Sequence, residues 1–497
     1  MSVQLANFTN FHRGVHTDES LADQGFIREA QAIDIYGTGA GTFSGAPHRP
    51  GVIMPSQRLS AESVGAVSAG THIQDLIEWI TPFSSRTYGL AATSAAHLYV
   101  TESTPATDSQ QTWYLVSSLS SATGGGGLMP FGSNLYYGQN TVLGKTDTTA
   151  TNNNFKTFTE SSVTPRPMKI FGGKLMVGNG RYIASLDSDE STFTGAALTL
   201  PIGFVVRSMD VWNGNLSIAA DYTPTGATNS TASYLFLWNG TDPTFTQELQ
   251  LPFTSAPLIF AHDNLLWIFG SDGALNGLVF VYNGAQLEKA FFLPNVVFHG
   301  NGSVGRFQSN IIVGTNGRTT SDEGGVWTIG RGGSEKPYAP SLSHIPSGVT
   351  AVSAVNCGAI YAESNNILTS WTDNTAYGMD RSANAFFPQG NSVLQTLPLH
   401  FGSPQFLKTF ISIKPDLESA GTTTGSTFQI LYRTDLATSF TALKTINASD
   451  TNLSPLIPLR KVKGRRIEFQ FKWVTTSNAP LRLRSFSVLY SPQGKSR

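Results

Sequence analysis

The sequence predicts an all-β protein: a β-propeller of about seven blades followed by an antiparallel β-sandwich-like domain. Three observations lead there. The first is composition. Of 497 residues only 13% are charged, against 40% hydrophobic and 11% aromatic, with 49 Gly and 25 Pro. A coiled coil or helical bundle needs Ala, Glu, Lys and Leu in bulk. A disordered chain needs low hydrophobicity and high net charge, and here the net charge is −1. The second is a repeat in the middle of the chain. The third is a change of texture near residue 395, where long alternating strands begin.

In chain order, residues 1–80 lack the repeat. REAQAIDIYGTGAG suggests a strand near Ala32–Tyr36 followed by a Gly turn, and IQDLIEWI (73–80) reads as a strand or a short helix. This segment is expected to close the ring by lending an outer blade strand, or to serve as a docking arm.

Residues 81–390 carry the repeat: apolar residues, a Gly/Asn/Asp/Ser turn, then Leu or Ile followed by apolar or aromatic residues. It occurs around Leu98, Leu135, Leu175, Leu216, Leu265, Ile311 and Ile360, at intervals of 37, 40, 41, 49, 46 and 49 residues. A second strand follows in most units, as in TWYLV, RYIASL, SYLFLWNG, LVFVYNG and GGVWTIG. Gly- and Asn-rich turns between β-branched and aromatic runs are hairpin signals. A small sheet has two faces to cover, and radial stacking lets each blade cover its neighbour while closure removes exposed edges. A tandem of sandwiches or a β-helix also gives regular turns, but the longer period with a similar motif at each step favours the propeller.

Residues 391–497 contain FLKTFISIKP, STFQILYRTD, RRIEFQFKWV and LRLRSFSVLYSP, with shorter strands near Leu443 and Leu459, enough for a sandwich. Charge is uneven here: Arg460 to Arg497 holds ten Lys/Arg and one acid, Glu468. Arg460, Lys461, Lys463, Arg465 and Arg466 are nearly contiguous. They read either as charges guarding a strand edge or solvating a loop, or as a contact with an acidic neighbouring subunit or nucleic acid. No aromatic–basic interleaving accompanies them, so a protein neighbour is the favoured functional reading.

Near-zero net charge gives no whole-protein attraction to nucleic acid or to an anionic membrane. No apolar run is long enough to insert in a membrane, and the N-terminus has no signal-like apolar stretch, so synthesis in a cytoplasm is expected. A single cysteine, Cys357, excludes an intramolecular disulfide and reads as a small buried hydrophobe.

Catalytic motifs are lacking. The nine His show no zinc-ligand spacing, and there is no nucleophile elbow or P-loop. GTGAG (37–41) and GGGG (124–127) lack the strand–helix context of a phosphate cradle and read as turns. No metal or cofactor is expected, and the chain is not expected to be an enzyme. Trp212, Trp238, Trp267, Trp327 and Trp371 read as inter-blade core rather than glycan platforms. Asp187, Asp189 and Glu190 read as a solvated loop rather than a cation site.

Two resemblances follow from particular residues. Thr320 to Trp327 resembles the Asp-box of sialidase-type propellers, with Asp322 and Gly324 at the turn, Trp327 packing between blades, and Val326 in place of the usual Thr. That motif is structural. A sialidase would also need an arginine cluster and a Tyr–Glu pair, and Arg is sparse in the repeat region. The opening FTNFHRGVHTDES…FIREAQAIDIYGTGAG…RPGV, the degenerate blades, and the ending PLRKVKGRRIEFQFKWVTTSNAPLRLRSFSVLYSP together resemble bacteriophage virion tail proteins, the β-propeller tail hub or nozzle proteins of short-tailed phages. The resemblance implies a structural virion protein, synthesised in the host cytoplasm and located in the tail. It would form a ring, commonly of six copies, that extends the channel for DNA ejection, lets the genome pass without sequence-specific binding, and docks fibres and neighbouring tail or connector proteins. The alternative is a receptor-binding tail protein that recognises host surface glycans through a propeller face. A glycoside hydrolase is a third reading.

Overall fold

The structure is a computed structural model. It describes residues 3–8, 15, 27–36, 53–56, 59–61, 73–81, 85–91, 97–101, 113–118, 127–139, 141–147, 149–160, 165–272, 276–293, 295–298, 300, 302–317, 324–331, 337–347, 355–363, 366–372, 377–382, 391–402, 404–419, 425–435, 437–475 and 481–493.

Seven antiparallel blades of four main strands form the ring: five are separate four-stranded sheets, and the sixth and seventh lie within a larger sheet that also reaches the C-terminal sandwich. The first comprises Ile73–Ile80, Ser85–Ala91, His97–Thr101 and Trp113–Ser118. The second runs from Leu128 to Thr157, the third from Met168 to Thr199, the fourth from Phe204 to Leu251 and the fifth from Ser255 to Leu293. The sixth holds Val304–Phe307, Asn310–Gly317, Gly325–Gly330 and Ala339–His344. The seventh takes Asn356–Glu363, Asn366–Thr372 and Tyr377–Ser382 from the repeat region and a fourth, outer strand, Leu59–Ala61, from the N-terminal segment.

The recurring motif marks the second strand of the blade, where a tight turn leads into a Leu or Ile. Leu135, Leu175, Leu216, Leu266, Ile311 and Ile367 occupy the equivalent position and are fully buried. At the ends of the ring the motif runs out of phase with the blades. Leu98 lies in the third strand of the first blade and Ile360 in the first strand of the seventh. The first blade therefore starts at Ile73, ahead of the boundary expected at 81, and IQDLIEWI is its innermost strand. Its every-third burial (Ile73, Leu76, Trp79) imitates a helix because inner-strand residues also face the central channel.

Seven hydrophobic layers hold the ring, one at each junction. Trp79, Leu98 and Tyr137 join blades one and two; Leu143, Met168 and Leu175 join two and three. Ile183, Val206 and Phe236 join three and four, and Trp212, Ile259 and Leu266 join four and five. Phe307, Ile312 and Cys357 join six and seven. Ile73, Leu76, Leu368 and Met379 close seven onto one, aided by Ser370 Oγ donating to the Ile73 carbonyl and by Tyr361 Oη donating to Glu78 Oε2 at 2.9 Å. Each fully buried Leu or Ile contributes about 1.5–3 kcal/mol.

The remaining layer, between blades five and six, does not stop at the ring. It runs through Ile33, Ile35 and Tyr36 into the C-terminal sandwich, where Phe410, Ile430, Phe469, Phe471 and Phe486 continue it. One sandwich sheet has the order Gln4–Phe8, Leu481–Pro492, Lys408–Ser419, Ile457–Gly464. The other contains Thr441–Asn447, Thr427–Thr434, Ile467–Val474 and Asn391–Thr396. The N-terminal strand Ile27–Gln31 extends that second sheet by pairing antiparallel with Asn391–Thr396, and it meets the outer strand of the sixth blade through Gln31 and Leu342. Ring and sandwich are thus continuous in both backbone pairing and core.

Candidate functional site

The five basic residues come together along one edge of the sandwich. Arg460, Lys461 and Lys463 lie on Ile457–Gly464, the edge strand of its sheet, and Arg465 and Arg466 form the turn into Ile467–Val474. The pairing of this strand shifts register opposite Phe410 and Ser412, and Arg460 takes φ +48 there. The turn is fixed from beneath. Asp435 Oδ1 accepts the backbone N–H groups of Arg465 at 2.8 Å and Arg466 at 3.2 Å, and Lys408 Nζ donates to the Arg465 carbonyl at 3.0 Å. Arg460, Lys463 and Arg465 are exposed and Arg466 is half-buried. A bulged, cationic edge repels a second copy of itself and is suited to an acidic or neutral partner surface.

The other singled-out residues serve packing. Of the Asp-box-like turn, Asp322 lies outside the described residues. Gly324 leads into the strand that carries Trp327, which is buried in the layer between blades five and six. The remaining four tryptophans are buried as well. Trp212 Nε1 donates to the Asn264 carbonyl across the junction of blades four and five at 3.0 Å, and Trp267 meets Tyr338 edge-on at 4.9 Å. Cys357 is buried, and burial pushes its thiol up to about 12, so it is no nucleophile at neutral pH. Asp187 pairs with Lys174 at 2.9 Å, and Asp189 caps its own turn through Ser191 and Thr192. Glu190 reaches the second blade, accepting from the Ser133 N–H at 3.0 Å, Tyr136 Oη at 2.7 Å and Asn134 Nδ2. Residues 37–41 and 124–126 of the Gly-rich runs lie outside the described residues. Among the described residues no group of three or more His, Cys, Asp or Glu is placed to hold a metal.

The innermost strands of all seven blades line a cavity of about 300 Å³ on the ring axis, among them Ile77, Met129, Lys169, Met209, Phe260 and Tyr361. Of the charged residues that line it, Asp75 and Lys169 fasten one blade to another, Lys169 through Asp210 beside the cavity. Asp75 of the first blade accepts the Leu76 N–H at 2.9 Å and, across the junction, the Leu128 N–H at 2.7 Å. Asp210 of the fourth blade accepts the Ala261 N–H of the fifth at 2.7 Å and pairs with Lys169 of the third at 2.9 Å. Burial pushes the Asp75 carboxyl up to about 7, against the two backbone hydrogen bonds and the Lys169 charge, which favour its ionised form. These braces were not singled out from the sequence. Their signal is an acid within an otherwise apolar strand, as in IQDLIEWI and SMDVW.

No known family profile matches the sequence, and no curated protein matches it. Solved structures match at the level of the fold. They include BBS1N in its complex with ARL6DN, at 12% identity and TM-score 0.44, covering 68% of this chain and 100% of that one. The Cps50 (Swd1) β-propeller domain of Myceliophteria thermophila matches at 8% identity and TM-score 0.43, covering 65% and 99%. The extracellular domain of BT4673 from B. thetaiotaomicron matches at 13% identity and TM-score 0.43; this chain spans 43% of its length, and 72% of this chain is covered. These likenesses carry no functional argument.

Proposed function

We propose that this chain is a structural protein of a bacteriophage tail. Copies of it, six in the simplest reading, assemble as a hub or nozzle ring that extends the DNA channel and docks fibres and neighbouring tail proteins. The observation that best supports a mechanical role is the shared core. A single apolar layer runs from blades five and six through the N-terminal segment into the sandwich, so the two parts form one stiff block. The conduit in this reading lies between copies. The cavity on the propeller axis, about 300 Å³, is far too small for a duplex whose major groove alone is about 12 Å wide. The basic edge of the sandwich is the subunit contact, and the tail of the virion is the location.

Single-particle imaging of the purified protein tests this reading. A closed ring with an axial opening between subunits is the expected result. A dispersed monomer that binds host polysaccharide on a glycan array would replace it with the receptor-binding reading. Release of sugar from a fluorogenic glycoside would replace it with an enzyme.

A further inference from the structure

The four-stranded sandwich sheet has two open edges of opposite character. At one end lies Gln4–Phe8, which carries no charge and no proline, and its pairing with Leu481–Pro492 runs without a register shift. Val3 and Leu5 are 55% and 60% exposed. Flat, uncharged edges with exposed apolar residues invite another strand, and natural proteins usually guard against it. At the other end lies Ile457–Gly464, with its bulge, Arg460 and Lys463, and the 67% exposed Leu456 just before it. Among the described residues no strand pairs with the outer side of either.

Strand parity fixes how two copies can meet. Every neighbouring pair in this sheet is antiparallel, and there are four strands. The two end strands therefore run in opposite directions. When two copies are placed side by side in the same sense, Ile457–Gly464 of one lies antiparallel to Gln4–Phe8 of the next. The alternation continues across the boundary in the more stable of the two pairings. An odd number of strands would have forced a parallel join. Charge selects the same arrangement. Two basic edges would set Arg460 and Lys463 against like charges, whereas Gln4–Phe8 opposes them with none.

We infer that the partner of the basic edge is the Gln4–Phe8 edge of a second copy of this chain, joined head to tail so that one sheet runs on from subunit to subunit. A head-to-tail contact of this kind is heterologous, and it closes into a ring when the rotation between copies permits. The inference rests on the ring-forming reading above and names the surfaces that make the ring.

Cross-linking of mixed variants tests it. Leu5→Cys and Lys463→Cys are made in separate full-length chains; the native Cys357 is buried and stays silent. A short bis-maleimide tolerates the unknown register. The expected result is that up to about half of an equimolar mixed sample becomes a Leu5→Cys/Lys463→Cys dimer, that neither variant cross-links alone, and that the double variant gives a ladder ending at the ring size. Cross-linking of Leu5→Cys with itself would overturn the inference in favour of a two-fold contact. Closed rings seen by imaging without cross-links would overturn it while leaving the ring intact. Monomers without cross-links would overturn both.

Discussion

Replacing Asp75 by Asn should reverse its effect on stability between acid and alkaline pH. The wild-type carboxyl has a folded value of about 7 against an ordinary 3.8. A raised value means that the folded state binds the proton more tightly than the unfolded one. The associated stability is fully present below pH 3.8 and is lost as pH rises through about 7. Three pH units at 1.36 kcal/mol each put the loss at up to about 4 kcal/mol. Asn removes this titration but keeps only one acceptor oxygen, so either the Leu76 or the Leu128 N–H loses its partner, at about 1–3 kcal/mol at every pH. The variant should therefore be less stable than wild type at pH 4 and equal or more stable at pH 9. With an unfolding entropy near 2.1 cal/mol/K per residue, a chain of this size moves by about 1 °C per kcal/mol. Thermal melts of both proteins across pH 4–9 should cross. Parallel curves would refute the account of Asp75 as a buried acid that charges at neutral pH.

Other perturbations address the junctions and the edge. Gly178 lies 2.8 Å from Pro167 and 2.9 Å from Val206 at the point where a Cβ would stand, so Gly178→Ala should cost about 1–3 kcal/mol and lower the melting temperature. Leu59, fully buried on the outer strand of the seventh blade, should cost about 2–5 kcal/mol as Leu59→Ala, and hydrogen exchange should rise first along Tyr377–Ser382, its pairing partner. Glu190 behaves oppositely to Asp75. Partial burial raises its carboxyl, but the bonds from Ser133, Tyr136 and Asn134 outweigh that and hold it below 4.5. Its contribution is present above pH 4.5 and lost on acidification, so Glu190→Ala should remove part of the acid-side decline in a melt-versus-pH series. A positive charge placed on the neutral edge, Leu5→Lys, would face Arg460 and Lys463 of the next copy in the proposed ring; it should leave a folded monomer by circular dichroism and abolish ring particles in micrographs.

How far the fold was legible depended on what each residue reports. The second strand of a blade announces itself because its tight turn and buried Leu or Ile recur, as at Leu135, Leu175 and Leu216. A small residue follows for a packing reason: Gly138 leaves room for Arg166, Gly178 for Val206 of the fourth blade, and Gly314 for Cys357 of the seventh. The innermost strand is less legible. Facing neighbours on both sides and the channel as well, it loses the two-residue alternation, which is why 73–80 read equally as strand or helix. The long C-terminal strands alternate plainly because one face is core and the other is open. The contact between ring and sandwich was not legible, since pairing of Ile27–Gln31 with Asn391–Thr396 joins residues more than 350 apart and leaves no local pattern. The basic run was visible as charge, but only the topology places it on an edge.

One N-terminal segment performs three joining tasks. Gln4–Phe8 completes one sandwich sheet, Ile27–Gln31 bonds the other to the sixth blade, and Leu59–Ala61 completes the seventh blade. Ring closure and sandwich attachment therefore share a covalent tether. The sandwich is thus joined to the ring at more than one place, by the core it shares with blades five and six and by the strand bonded to blade six. Each of these pairings also joins the start of the chain to its last third, so the loop-closure cost is met only once nearly all of the chain is present. Such long-range β pairing folds slowly and leaves open edges on the way. A chain that finishes its own edges last, and keeps Gln4–Phe8 uncharged to the end, would in the proposed ring draw on the same strand for its final pairing step and for its assembly step.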